Sequence, residues 1–181
     1  MRILAISGSA RAASRSTALL RALAAVAGQV RVMDDLAGLP IFSPDREGPP
    51  APEPVEALLA AIAAADAVVI CSPEYVHSFP GGLKNAIDWC VSRPEIIHKP
   101  VALLHASHRG DEMLGHLRRV LATVTDRFAA DVFLRLPLAS LPEGEVAVVL
   151  RGAKAQEALQ AFALALASWV AEPPLAGQVA E

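Results

Sequence analysis

Five short apolar runs alternate along this chain with stretches of helical periodicity, and few architectures accept that pattern. Arg2 to Ser7, Gln29 to Met33, Ala67 to Cys71, Val101 to Ala106 and Asp131 to Leu136 read as strands. Helices are expected over Ser16 to Ala27, Pro54 to Ala65, residues 80 to 92, Asp111 to Val124 and the alanine-rich 153–170. Residues 34–51, rich in Pro, Gly and Asp, read as the least regular connection. Strands separated by helices pair in parallel, and right-handed crossovers lay the helices on both faces of the sheet. The expectation is therefore an α/β fold of three layers, doubly wound, with a five-stranded parallel sheet of order 2-1-3-4-5. One domain is expected over residues 1–172, with 173–181 as a loose tail.

Composition narrows the function. The 181 residues are 54% hydrophobic, enough for one sizeable core. A formal net charge of -3 offers no basic field for nucleic acid. No run of 18 or more apolar residues argues for a membrane span, and the N-terminus enters a strand without the apolar segment of a signal peptide. Cys71 and Cys90 read as free thiols, which together with these absences points to the cytoplasm.

In the order 2-1-3-4-5 the topological switch lies between strands one and three, and open α/β sheets hold ligands beyond the carboxyl ends of the strands there. The loop after the first strand reads Gly8-Ser9-Ala10-Arg11-Ala12-Ala13-Ser14-Arg15-Ser16-Thr17. Gly8 permits a tight turn, the hydroxyls and the helix start offer donors, and Arg11 can add a bidentate charged contact to a phosphate. The helix dipole adds roughly 0.3–1 kcal/mol for an anion there. The loop lacks the Gly-Lys pair of a nucleoside-triphosphate loop and the three glycines of the dinucleotide fingerprint. Alone, these residues would equally suit an ordinary Ser-capped turn with Arg11 and Arg15 in solvent.

The loop after the third strand supplies the second half. Pro73-Glu74-Tyr75-Val76-His77-Ser78-Phe79-Pro80 carries the only tyrosine of the chain and a stretch of backbone N–H groups before a helix. A planar heterocycle needs a face to stack on and fixed donors along a polar edge. FMN has both a phosphate and such a ring, so one molecule of it would satisfy both loops.

Here the chain resembles the NADPH-dependent FMN reductases of the flavodoxin-like class. The matching residues are Gly-Ser-x-Arg-x-x-Ser at 8–14 and Pro-Glu-Tyr-x-x-Ser-x-Pro-Gly-x-Leu-Lys-Asn-Ala-Ile-Asp-Trp at 73–89. The resemblance implies that Ser9, Arg11, Ser14, Ser16 and Thr17 hold the FMN phosphate. It places Pro73, Glu74 and Tyr75 along the isoalloxazine and Ser107 near the ring or its ribityl chain. Backbone N–H groups from 73 to Val76 are expected to offset negative charge near N1 and O2 of the reduced ring. Two positions depart from the family pattern. Val76 stands where Asn is frequent. The loop after strand four, commonly glycine-rich, reads His105-Ala106-Ser107-His108-Arg109-Gly110-Asp111-Glu112.

The resemblance implies an enzyme: hydride passes from NADPH, or NADH, to N5 of FMN, and electrons then reach a small-molecule acceptor. Free flavin, a quinone, a metal ion, an azo compound or oxygen are the candidates. The chemistry belongs to the cofactor, so no side chain is assigned as catalytic. A homodimer or homotetramer is expected, with the flavin near a subunit contact and the third helix. Trp89 is assigned to the core or to that interface. His105, His108 and His116 with Asp111 and Glu112 match no zinc spacing, so no metal is assigned. A flavin-binding electron carrier without direct reaction with NAD(P)H, and a non-catalytic subunit, are the alternatives. A hydrolase is disfavoured by the lack of a Gly-x-Ser-x-Gly elbow.

Overall fold

The computed structural model describes residues 1–172. All five strands form one parallel sheet in the order β2-β1-β3-β4-β5. They are β1 (Ile3–Ser7), β2 (Val30–Met33), β3 (Ala67–Cys71), β4 (Val101–His105) and β5 (Phe128–Arg135). The helices are α1 (Arg15–Ala27), α2 (Glu53–Ala64), α3 (Gly81–Asp88), α4 (Pro94–Ile97), α5 (Asp111–Val124), α6 (Glu143–Arg151) and α7 (Ala153–Ala171). The expectation of a loose tail from Pro173 lies outside the described residues.

The three central strands are buried along their whole length, which is why each reads as an unbroken apolar run. Successive side chains still point to opposite faces. Leu4, Ile6, Val68, Ile70 and Leu103 join a core with the buried faces of α2, α3 and α5. Ile3, Ala5, Val69, Cys71 and Leu104 join a second core with Leu19, Leu23, Leu159 and Phe162 of α1 and α7. Burial pushes the Cys71 thiol up to about 12, so it sits in this core as a neutral group. Ser7 pairs with Cys71 in register, so β1 and β3 end side by side.

Three stretches differ from the sequence expectation. The helix expected to reach residue 92 stops at Asp88, and the short α4 begins at Pro94. Proline favours the first helical turn and disfavours the α conformation in the residue before it. Strand β5 begins at Phe128 rather than Asp131, because the ladder with β4 is irregular. Val101 pairs with Phe128 and Leu103 already with Phe133. The extra residues break the alternation that marks a strand. Helix α6 was not expected; Pro142 precedes it, Glu143 and Glu145 occupy its first turn, and it buries only Val146 and Leu150. Among the described residues no helix is long and apolar enough to cross a membrane.

Residues 34–51 are mostly irregular, with one 3₁₀ turn at Pro44–Arg46. They are pinned to α3 by polar contacts. Asn85 accepts from the Phe42 N–H at 2.8 Å and donates to the Pro40 carbonyl at 3.0 Å. Trp89 donates to the same carbonyl at 2.8 Å and meets the Phe42 ring edge-on at 5.1 Å. Trp89 is thus a buried residue of this chain's own core.

Candidate functional site

The loops after β1, β3 and β4 open into one cleft of about 300 Å³ at the carboxyl edge of the sheet. Ser9, Arg11, Ser14 and Ser16 line it from the first loop. Pro73, Glu74, Tyr75 and Ser107 line it from the other two. Eight of the ten residues expected to hold the cofactor therefore meet, and Thr17 and Val76 stand outside.

Thr17 is committed elsewhere. Its hydroxyl bonds the Ser7 hydroxyl at 2.8 Å, and its N–H donates to the Ser14 side chain at 3.3 Å. That second contact is the N-cap of α1, so Ser14 caps the helix and faces the cleft at once. Ser9 turns the loop by accepting from the Arg11 N–H at 3.2 Å. Arg15, to which the sequence assigns no cofactor contact, lines the cleft as well. Its guanidinium donates to the Leu141 carbonyl at 2.6 Å, and its Nε is buried without a partner among the described residues. The α6 region that makes this contact was not expected, so nothing nearby in sequence signalled it.

Gly8 earns its place by space rather than conformation. A Cβ there would lie 2.7 Å from the Ser72 hydroxyl and 3.0 Å from Leu83, so the ends of β1 and β3 close only around a glycine. This brings the phosphate-type loop against the ring-type loop.

The second loop is a tight turn. Tyr75 and Ser78 exchange backbone hydrogen bonds of 2.8 and 3.0 Å, and Val76 and His77 both take positive φ, 52° and 59°. This geometry revises the expected donor row from 73 to 76. Proline has no N–H, and the Tyr75 N–H is spent on Ser78. The Glu74 and Val76 N–H groups remain without partners among the described residues. Tyr75 is held with its ring about half exposed over the cleft.

The left-handed turn makes the departure at Val76 a strained one. Asn tolerates positive φ, whereas a β-branched side chain is strained there by roughly 1–2 kcal/mol. Val76 is 94% exposed, so its side chain has almost nothing to lose. Val76→Asn is expected to raise unfolding stability by about 1 kcal/mol, read from denaturant midpoints. A loss of stability would contradict the strain.

The third wall is the polar loop after β4. His105 is buried, and its Nε2 lies 2.6 Å from the Arg109 carbonyl, so that nitrogen carries the proton. Nδ1 has no partner among the described residues. Gly110 follows at φ 98°, and a Cβ there would meet Nε2 at 2.9 Å. The rim carries an ion pair between Arg135 and Asp111 and a hydrogen bond between His77 Nδ1 and Glu112 at 3.0 Å. Burial pushes the His105 pKa below its ordinary 6.5, with the Arg109 carbonyl pulling the other way. The unfolded chain takes up this proton near 6.5 and the folded one only at lower pH. The stability from a neutral His105 is therefore full above 6.5 and lost as the pH falls through that value. Denaturation midpoints between about pH 7.5 and 5 should fall for the wild type and flatten for His105→Gln. Parallel slopes would show that His105 does not titrate in this window.

The cleft can take an anion at one end and a planar group at the other. Hydroxyls, a helix start and two arginines line the first, with an exposed phenol ring and the unpartnered Glu74 N–H at the second. Tested against FMN, the donor set fits. Arg11 and Arg15 line the cleft from the first loop, where a dianion would sit, and Arg109 lines it from the loop after β4; the one carboxylate among the lining residues, Glu74, belongs to the loop after β3.

Comparison with known proteins agrees with this cleft. The family described as NADPH-dependent FMN reductase matches residues 1–133. A quinone reductase of Escherichia coli (strain K12) is 37% identical over 132 residues, covering 67% of this chain and 69% of its own. An NAD(P)H-dependent FMN reductase of Pseudomonas aeruginosa is 40% identical over 111 residues, covering 59% and 60%. Among solved structures, FerB from Paracoccus denitrificans, a flavoenzyme NAD(P)H:(acceptor) oxidoreductase, superposes with a TM-score of 0.70 at 25% identity. That likeness covers 93% of this chain and 96% of FerB.

Proposed function

The chain belongs to the NADPH-dependent FMN reductase family, and from that premise we propose that its cleft holds FMN and serves a small quinone-type acceptor. It is an NAD(P)H-dependent flavin oxidoreductase of flavodoxin-like fold. The observation that carries the reading is the convergence of the loops after β1 and β3 on a single cleft at the switch point. Bound FMN supplies a ring that accepts hydride at N5 and passes electrons onward.

The residues divide the work of binding. Ser9, Ser14 and Ser16 donate hydroxyl hydrogens to the phosphate while the start of α1 and Arg11 offset its charge. The Tyr75 ring presents a face to the isoalloxazine. The Glu74 N–H, left without a partner among the described residues, is available to its polar edge. Ser107, whose hydroxyl accepts from the Arg109 N–H at 3.1 Å, borders the third wall. Holding ring and reductant in fixed contact contributes much of the rate.

Quinone is proposed as the acceptor class because a quinone reductase is among the relatives and the ring side of the cleft is open. A homo-oligomer is proposed on the exposed Ile41, Val91 and Ile97, of which Val91 lies between α3 and α4 and Ile97 ends α4; sedimentation showing a monomer would contradict it. A reducing, cytoplasmic setting is proposed because both cysteines are free and buried.

The test is an anaerobic visible spectrum of the protein with FMN, before and after NADPH, followed by a benzoquinone. Bleaching of bound flavin faster than free FMN, then recovery on adding quinone, is the expected result. Bound flavin that stays yellow with NADPH and NADH would overturn the reductase reading. Bleaching without recovery would overturn the acceptor class.

A further inference from the structure

A second cavity, larger than the flavin cleft, opens beside it. It measures about 450 Å³ and runs as a groove between α1 and α6. Arg11, Ala13, Ser14 and Arg15 line both cavities, so the two spaces meet at the start of α1. The groove floor is apolar and low: Ala18 and Ala22 of α1 face Val146, Ala147 and Leu150 of α6. Its rim is charged, with Arg11, Arg15, Arg21 and Arg151 against the single carboxylate Glu143. Arg21 is also paired with Asp34 at 2.7 Å. A volume near 450 Å³ falls within the range of about 300–1,000 Å³ typical of small-molecule sites.

Resting on the phosphate site proposed above, we infer that this groove takes the adenylate half of a dinucleotide flavin, so that the enzyme accepts FAD as well as FMN. The chemistry of each part matches. A second phosphate joined to the first would lie at the start of α1, where Arg11 and Arg15 are the two charged residues that line both cavities. Guanidinium groups suit phosphate oxygens through paired donors. A purine is a flat apolar plate, and the alanine floor leaves room for one, with the Arg151 guanidinium available to stack on it. Glu143 then has a role that the arginines do not explain, since a carboxylate accepts from the ribose hydroxyls of adenosine.

An adenine nucleotide is carried by FAD and by NADPH, and four rim arginines would accept the extra phosphate of NADPH as readily as a pyrophosphate. What favours FAD is position: the groove adjoins the first loop, at the phosphate end of the flavin, rather than the ring that the reductant must reach.

The test is calorimetric titration of the full-length protein, stripped of flavin, with FMN and with FAD. FAD is expected to bind within about threefold of FMN or tighter. Ala147→Trp, which fills the groove from an exposed position of α6, should weaken FAD at least about tenfold and leave FMN unchanged. Arg151→Ala is a second, milder variant expected to weaken FAD alone. FMN binding with FAD weaker by about thirtyfold or more would overturn the inference and leave the FMN site standing. Equal FAD affinity in wild type and Ala147→Trp would place the adenylate in solvent and overturn it as well. A rise in the KM for NADPH in Ala147→Trp loaded with FMN would assign the groove to the reductant instead. Loss of both flavins in the wild type would strike the proposed function itself.

Discussion

Arg11→Ala is expected to weaken FMN binding by about 10- to 100-fold while leaving riboflavin, which lacks the phosphate, unchanged. The size follows from a hydrogen bond to a charged group, worth about 1.5–3 kcal/mol, with the lower end favoured because Arg11 is exposed to solvent. The backbone of the loop should survive the change. Ser9 accepts from the Arg11 N–H, not from its side chain, and Ser14 caps α1 independently. Arg11→Lys should recover part of the loss, since a lysine keeps the charge but not the forked donor pair. Flavin-fluorescence titration reads all three. Equal affinity of Arg11→Ala and wild type for FMN would move the phosphate away from this loop. An equal loss for riboflavin would mean that Arg11 shapes the cleft rather than binding an anion.

The sheet was legible because its central strands are buried on both faces. Ala67 to Cys71 can hardly be anything but a strand when a turn follows at once and a helix after it. The order follows from alternation and handedness, and it sets the loops after the first and third strands side by side. What stayed hidden depends on contacts distant in sequence. The split between α3 and α4 was written locally in Pro94, but the irregular ladder opposite Val101 depends on β4 and was not. In the site, the serine and arginine types pointed to an anion, yet nothing in the sequence separates Ser14, which faces the cleft, from Thr17, whose hydroxyl is taken by Ser7. The donor row shrank for a similar reason. A turn closed by Tyr75 and Ser78 consumes a group that an extended loop would leave free. The groove beside α6 was invisible because α6 itself was.

Asn85 and Trp89 show the same limit within the long second motif, and they set the second large effect. Trp89→Ala is expected to destabilise the protein by about 3–5 kcal/mol, a large part of the 5–15 kcal/mol typical of a folded domain. Trp89 is 2% exposed, packs on the edge of Phe42 and donates to Pro40, so its removal leaves a large cavity where residues 40–42 meet α3. Trp89→Phe separates packing from hydrogen bonding. The Pro40 carbonyl keeps its bond from Asn85 at 3.0 Å, so the phenylalanine variant should lose about 1–2 kcal/mol rather than the full amount. Denaturant unfolding followed by circular dichroism reads both. Flavin affinity of the folded Trp89→Ala protein should stay within about threefold of wild type, because Trp89 does not line the cleft. An alanine variant as stable as wild type would mean that the 34–51 connection contributes nothing to the core. A folded variant that has lost FMN would mean that α3 needs this anchor to hold Pro73 to Pro80 in their binding shape.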